Sequence, residues 1–177
     1  NGTKTGTSQF IDLGAVMLQD VEGIDRFETF VECAFLPEYI SKITGIDPTD
    51  LIGAPTRKEA LTALRHFMGD AVFVAHNANF DYSFLNASFD RFGLGHIGNP
   101  KLCTIDLARR TFESERYGLA YLIDFLEIET ATQHRAFSDA VCAAKVMGKS
   151  LETLPEDVKR ADELLRFFVY RQKQRRA

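Results

Sequence analysis

A chain of 177 residues that is 45% hydrophobic is long enough to form one globular domain with its own core. Its formal net charge of -4 excludes the general basic surface with which proteins grip duplex nucleic acid non-specifically. The charge does not exclude an enzyme that holds a few phosphates through metal ions. The three cysteines are widely spaced in apolar contexts, which favours buried free thiols over a disulfide or zinc site. With no long apolar run, the chain is expected to be a cytoplasmic protein that does not contact the membrane.

The first predicted elements are two strands joined by a hairpin turn. Residues 10–18 (FIDLGAVML) are mostly apolar, as is typical of a strand inside a sheet. Residues 27–35 alternate between two faces, which predicts a second strand with one wetter face. The intervening QDVEGID (19–25) supplies the turn, so the two strands should pair antiparallel.

Helices and short strands alternate in the rest of the chain. Thr56 and Glu59 have the spacing of a capping box, and the helix that follows should stop at Gly69. The pattern then predicts strands over 71–76 and 102–103, and helices over 79–93, 106–112, 117–128 and 135–154. A hairpin followed by helix–strand–helix units indicates an α/β domain with a mixed central sheet.

One candidate functional segment is AHNANFDYSFL (75–85). The predicted strand runs directly into His76 and Asn77, and Asp81 lies one turn into the following helix. Ligands collect at the carboxyl ends of strands in such sheets, so Asp81 is placed where a site is expected. The alternative is that Asp81 only complements the positive end of its helix.

A second candidate segment is QHRAFSDA (133–140). Asp139 lies near the start of the long helix, and His134, if it lies in the preceding loop, can lean over the site that Asp139 enters. The alternative is a surface histidine beside a capping aspartate. Two aspartates on separate helices and a loop histidine suit a divalent metal with histidine as general base. Two carboxylates are too few for a two-metal site. Either Asp12 or Asp106 could be a further ligand, but each has a plainer structural role, Asp106 as an N-cap and Asp12 as a polar strand position.

Several segments in this order carry a family resemblance. HNANFDYSFL (76–85) matches the motif H-N-x-x-F-D-x-x-F-L, and HRAFSDA (134–140) matches H-x-A-x-x-D-A. Supporting likenesses are ITGI (43–46), CTIDLARR (103–110) and YGLAYLIDFLEI (117–128). From about Asn1 to Met147 the chain resembles the DnaQ-like DEDDh 3′–5′ exonucleases, and among them the proofreading epsilon subunits of bacterial DNA polymerase III.

The family's first motif, D-x-E-T-x-G, precedes a loop of about seven residues and then an apolar strand. Here Asn1-Gly2 is followed by seven residues and FIDLGAV. In that register the D-x-E-T lies just upstream of Asn1, and two further carboxylates are expected there. A second register puts Asn1 and Thr3 at the positions of Asp and Glu, which would make the chain a non-catalytic relative.

The resemblance implies a ribonuclease H-like fold, a mixed central sheet flanked by helices, whose first strand is missing from this chain. An exonuclease domain is expected over 1–154, followed by a C-terminal helix and basic tail over 155–177. The basic stretch 166–177 (RFFVYRQKQRRA) is either a solvated end or a segment that binds a partner.

The resemblance also assigns roles to the candidate residues. Asp81 and Asp139 would hold two divalent cations, Mg²⁺ or Mn²⁺, with the upstream carboxylates, and His134 would be the general base. The residues that would contact the terminal nucleotides are His76, Asn77 and Phe80. For these three a structural role is the alternative, and for Phe80 that role is in the core.

The implied function is removal of nucleotides from single-stranded or frayed DNA 3′ ends, as in replication proofreading. The expected partners are a single-stranded DNA 3′ end and a DNA polymerase catalytic subunit. Two alternatives stay open. One is an RNA-directed 3′ exonuclease of the same superfamily, and the other is a non-catalytic interaction module if the D-x-E motif is truly absent.

Overall fold

The structure, a computed structural model, describes residues 10–19, 22–130, 135–155, 158 and 162–166. The strands are β1 (Asp12–Gln19), β2 (Glu22–Phe30), β3 (Phe73–Ala75) and β4 (Lys101–Cys103). The helices are α1 (Glu38–Thr44), α2 (Arg57–Met68), α3 (Ala78–Arg91), α4 (Thr104–Thr111), α5 (Leu119–Phe125) and α6 (Ala136–Glu152), with a 3₁₀ turn at Pro48–Leu51.

The predicted antiparallel hairpin is confirmed, but its second strand lies earlier in the chain than predicted. β2 starts at Glu22, which pairs with Gln19, and ends at Phe30, which pairs with Asp12. The turn is therefore shorter than predicted. Residues 22–26 are all exposed, so they lack the alternation of buried apolar side chains that marks a strand. After Val31 the chain leaves the hairpin, because the Glu32 N–H donates to the Pro55 carbonyl at 2.9 Å.

The four strands lie between the same two layers of helices. Among the described residues β1 pairs with β2, and β3 pairs in parallel with β4. Alternate side chains of a strand point to opposite faces. On one face Leu18 of β1 and Val74 of β3 pack against a core cluster from α4 and α6. On the other face Leu13 and Phe73 pack against a cluster from α2 and α3. The predicted α/β architecture with mixed strand directions is confirmed, with the strands in two hydrogen-bonded pairs.

Helix starts agree with the sequence prediction at α2 and differ at α4. The capping box of α2 is present, since the Thr56 N–H donates to Glu59 Oε2 at 2.8 Å and the Glu59 N–H donates to Thr56 Oγ1 at 3.4 Å. The expectation that Asp106 caps α4 is wrong. β4 runs into α4 without a loop, so Cys103 is the N-cap and Asp106 lies inside the first turn.

Helix α1 and the 3₁₀ turn were not predicted. No residue of α1 is buried, so the helix has no apolar stripe facing the core for a periodicity to reveal. The 3₁₀ turn is set by local polar contacts instead, with Asp47 and Asp50 forming a capping box around Pro48.

Part of the predicted C-terminal segment belongs to the core. Leu164 is 4% exposed and packs in the same cluster as Leu151 of α6. Residues 167–177, which carry most of the basic stretch, lie outside the described residues. Among the helices that are described, none has the length and apolar character needed to cross a bilayer.

The closest backbone approach that positions the site is between β1 and α6. A Cβ atom placed on Gly14 of β1 would lie 2.1 Å from the backbone nitrogen of Phe137 and 2.3 Å from its Cα. Backbone atoms cannot retreat as a flexible side chain can, so only glycine allows α6 to lie this close to the strand.

Replacing Gly14 by alanine should therefore lower the free energy of unfolding by about 1–3 kcal/mol or more, because the first turn of α6 must move off β1. Urea denaturation of the purified chain measures this. Gly23→Ala is the matched control in the same hairpin, since its Cβ would meet only Val16 Cγ2 at 3.4 Å. Equal stability of the two variants would contradict the close approach.

Candidate active site

The turn from β3 into α3 places two predicted site residues at the carboxyl end of a strand. β3 ends at Ala75 and α3 begins at Ala78, so His76 and Asn77 make the whole connection. Asn77 has φ 75° and ψ 50°, a left-handed conformation that asparagine adopts more readily than most residues. This tight turn puts Asp81 in the first turn of α3, as predicted.

His76 bridges three elements through both of its ring nitrogens. Nε2 lies 2.9 Å from the Tyr117 carbonyl oxygen, and Nδ1 lies 2.8 Å from Thr104 Oγ1. A carbonyl only accepts, so Nε2 donates, and in the neutral ring Nδ1 accepts from the threonine hydroxyl. Burial lowers the pKa of His76, although the bond to Tyr117 acts in the opposite direction. The neutral ring thus ties the end of β3 to the start of α4 and to Tyr117, two residues before the start of α5.

Asn77 and Phe80 are exposed beside this turn. The Asn77 side chain makes no capping hydrogen bond to α3. The Phe80 side chain is 58% exposed, whereas Phe89 on the same helix is fully buried. The core alternative for Phe80 is therefore wrong, and an aromatic ring stands in solvent one residue before Asp81.

Asp81 is a partly buried carboxylate that pairs with no cationic side chain among the described residues. No lysine, arginine or histidine in the described part of the chain forms an ion pair with it. Burial raises the pKa of Asp81, and the hydrogen bond from its own backbone N–H only partly opposes this. A half-buried oxygen donor with no positive partner fits a hard divalent cation such as Mg²⁺ or Mn²⁺.

Asp139 lies in the first turn of α6, as predicted, and its N–H donates to the Arg135 carbonyl at 2.9 Å. One turn further on, burial raises the pKa of the Cys142 thiol, and the negative charge of Asp139 adds to this. His134 lies outside the described residues, and α6 begins at Ala136.

The start of α6 is held by Asp12, a role that the sequence analysis missed. Asp12 Oδ2 accepts from the Ala136 N–H and from Arg135 Nε, each at 3.1 Å. The Arg135 guanidinium also lies 3.7 Å from Glu28 Oε1 and 4.9 Å from the Phe30 ring centroid. The available signal was one acidic residue within an otherwise apolar strand. Asp12 is thus more than a polar strand position.

A cavity of about 490 Å³ lies away from these residues, beside the segments that precede β3 and β4. Two of its polar lining side chains, those of Arg65 and Asn99, already have structural partners. Arg65 donates to the carbonyls of Leu94 and His96, and Asn99 Nδ2 donates to those of Gly69 and Ala71. We therefore place the candidate site at the opposite ends of β3 and β4, where Asp81 lies.

The described residues supply separate carboxylates and not a complete metal centre. Within that part of the chain, no group of three or more His, Cys, Asp or Glu side chains could hold a metal ion. Asp81 and Asp139 have the right donor chemistry for a hard cation, and further ligands would be needed to complete a site.

A family model described as exonuclease, of the ribonuclease T type, matches residues 1–147. The chain belongs to the exonuclease family. The predicted resemblance to the epsilon-type exonucleases is confirmed by its relatives. A DNA polymerase III subunit epsilon from Aquifex aeolicus is 36% identical over 149 residues, which is 83% of this chain and 74% of that subunit.

A second group of relatives is much longer. A PolC-type DNA polymerase III from Caldanaerobacter subterraneus subsp. tengcongensis is 36% identical over 157 residues, which is 88% of this chain and 11% of that polymerase. The chain therefore spans about a tenth of the length of the PolC-type relatives that it matches. It is an exonuclease domain homologous to both groups.

A solved structure confirms the ribonuclease H-like fold. The structure of exonuclease X in complex with 5′ overhanging duplex DNA superimposes with a TM-score of 0.61. The match covers 81% of this chain and 82% of that one at 22% identity, so it speaks for the fold alone.

The electrostatics of Asp81 give a pH dependence with a definite sign. The folded state raises the pKa of this carboxyl above 3.8, so folding favours its protonated form and stability falls as the pH rises above that value. Without divalent metal, Asp81→Asn should therefore be more stable than the wild type at pH 7, and the difference should shrink toward pH 4. Urea denaturation in a chelating buffer at both pH values measures this.

Asp124→Asn is the control, because Asp124 is an exposed carboxylate on α5. It should change stability little at either pH. A wild type at least as stable as Asp81→Asn at pH 7 would show that Asp81 has a compensating partner.

Proposed function

We propose that this protein is a metal-dependent 3′–5′ exonuclease that removes nucleotides from single-stranded or frayed DNA 3′ ends, as in proofreading during DNA replication. The observation that carries the proposal is the partly buried carboxylate of Asp81 beyond the carboxyl end of β3 in an exonuclease-family domain. Among the described residues, no cationic side chain forms an ion pair with it. Asp139, in the first turn of a second helix, supplies another carboxylate.

Exonucleases of this superfamily generally use divalent metal ions. Asp81 and Asp139 would hold two Mg²⁺ or Mn²⁺ ions together with further carboxylate ligands. When bound, such ions lower the pKa of the attacking water and offset the negative charge that develops on the phosphate. His134 would accept the proton of that water, a role that suits a group titrating near neutral pH.

The exposed residues of the β3–α3 turn would hold the 3′ end. Phe80 offers a solvent-exposed ring on which a base can stack, and stacking of this kind requires an unpaired base. Asn77 offers an exposed side-chain amide. Both ring nitrogens of His76 already bond to the protein, to Thr104 and Tyr117. His76 would therefore act indirectly, by holding the turn that carries Asn77.

The charge and the relatives support the proposed partners. A chain with a net charge of -4 is poorly suited to gripping a long duplex, and better suited to a frayed end whose few phosphates are held through cations. One matched relative is named as the epsilon subunit of DNA polymerase III, and others are named as PolC-type DNA polymerase III. We propose a DNA polymerase catalytic subunit or domain as the protein partner and a cytoplasmic location.

Substitution of two site residues separates their roles. In the full encoded protein, Asp139→Asn should abolish hydrolysis of a single-stranded DNA 3′ end at any Mg²⁺ or Mn²⁺ concentration. His134→Ala should lower turnover by about a hundredfold or more while Mn²⁺ binding stays unchanged, because it removes only the base. Turnover assays and Mn²⁺ titration by electron paramagnetic resonance measure the two effects.

Asp124→Asn, on the exposed face of α5, should retain wild-type turnover in the same assays. Normal turnover in His134→Ala would show that His134 is not the general base. Activity retained in Asp139→Asn would point to a different metal ligand.

The sugar of the substrate decides between the proposed function and its RNA-directed alternative. With matched single strands, we expect faster shortening from the 3′ end of DNA than of RNA, and slower attack on a blunt duplex. Faster shortening of RNA would favour the alternative, and absence of both hydrolysis and Mn²⁺ binding would favour a non-catalytic module.

Phe80→Ala should raise the KM for single-stranded DNA without lowering the melting temperature, because the ring is exposed.

A further inference from the structure

We infer that Asp12 and Arg135 are positioning residues of the proposed active site. Their ion pair fixes the first turn of α6, and with it Asp139. The inference rests on the proposed function, because it concerns how two residues outside the catalytic set hold the residues inside it.

The Asp12 carboxylate acts as a helix cap supplied by another element. One oxygen, Oδ2, accepts from the backbone N–H of Ala136, the first residue of α6, and from Nε of the preceding Arg135, each at 3.1 Å. Hydrogen bonds to a charged acceptor at a helix N-terminus are favoured both by the charge and by the helix dipole. The Asp12 side chain is only 9% exposed, so solvent screens these contacts weakly.

The Arg135 side chain is held from several sides by the β1–β2 hairpin. Besides Asp12, its guanidinium faces Glu28 Oε1 at 3.7 Å and the Phe30 ring centroid at 4.9 Å. A planar guanidinium can direct Nε at one carboxylate while the rest of the group faces a second carboxylate and a ring. A lysine ammonium cannot reproduce this arrangement.

These contacts reach Asp139 through the backbone of a single helical turn. The Arg135 carbonyl accepts from the Asp139 N–H at 2.9 Å, so a shift of Arg135 moves Asp139 with it. Beneath the same turn, Gly14 brings the β1 backbone against Phe137. Gly14 sets how far α6 lies from the strand, and Asp12 with Arg135 sets where the helix begins along it.

The test compares Asp12→Asn, Arg135→Lys and the double variant in the full encoded protein. The matched control is Glu152→Gln, which removes the ion pair of Lys149 at the other end of α6. We measure kcat and KM on single-stranded DNA with saturating Mn²⁺, Mn²⁺ affinity by electron paramagnetic resonance, and the melting temperature. Each single substitution should lower kcat or Mn²⁺ affinity by about tenfold or more, with KM little changed.

The double variant should lose less than the two single losses combined, because the ion pair that each substitution removes is shared. Glu152→Gln should match the wild type in every readout. If both single variants melt at a lower temperature but keep wild-type kcat and Mn²⁺ affinity well below that temperature, the ion pair only stabilises the fold and the inference is overturned.

Hydrogen exchange separates failure of this inference from failure of the proposed function. A wild type that neither hydrolyses DNA nor binds Mn²⁺ would overturn the proposed function. Exchange of the Ala136 and Asp139 amides then still tests the positioning. They should exchange faster in Asp12→Asn than in the wild type, while amides near Val146 stay unchanged. Equal protection in the two proteins would show that Asp12 does not fix the first turn of α6.

Discussion

The contact between β1 and α6 is the constraint on which the arrangement of the candidate site depends. At Gly14 the strand and the helix approach backbone to backbone, so α6 cannot move toward the strand and has no side chain there to rearrange. Asp12, two residues earlier on the same face, binds the first N–H of α6. A single short stretch of strand therefore fixes both the distance and the starting point of the helix that carries Asp139.

The second half of the site is fixed by a different device. β3 is only three residues long, so its end needs support from outside the strand. The neutral ring of His76 supplies it by bonding Thr104, which is fully buried, and the Tyr117 carbonyl. A protonated ring could not accept from Thr104, so the low pKa that burial gives this histidine belongs to its structural role. With the turn held in this way, Asp81 is fixed where it is partly desolvated.

The parts of this molecule that sequence reasoning predicted are those coded by local patterns. The capping box at Thr56, the apolar run of β1 and the placement of Asp81 after a strand all follow from neighbouring residues. β2 starts earlier than its sequence pattern predicts because its first residues are exposed, and α1 gives no periodic signal because it buries no residue. The link between Asp12 and Arg135 spans 123 positions in the chain, so no spacing rule could reveal it. Only the packing of α6 on β1 brings them together.

Asp81 and Asp12 differ in whether the protein itself supplies positive or donor groups to the carboxylate. Asp81 lacks a cationic neighbour among the described residues, whereas Asp12 has two donors from the start of α6. A carboxylate that a protein neutralises with its own arginine serves structure, because that charge is already satisfied. A partly buried carboxylate without such a partner can be satisfied by a cation from solution. This difference between the two aspartates is the reason why we propose Asp81, and not Asp12, as a metal ligand.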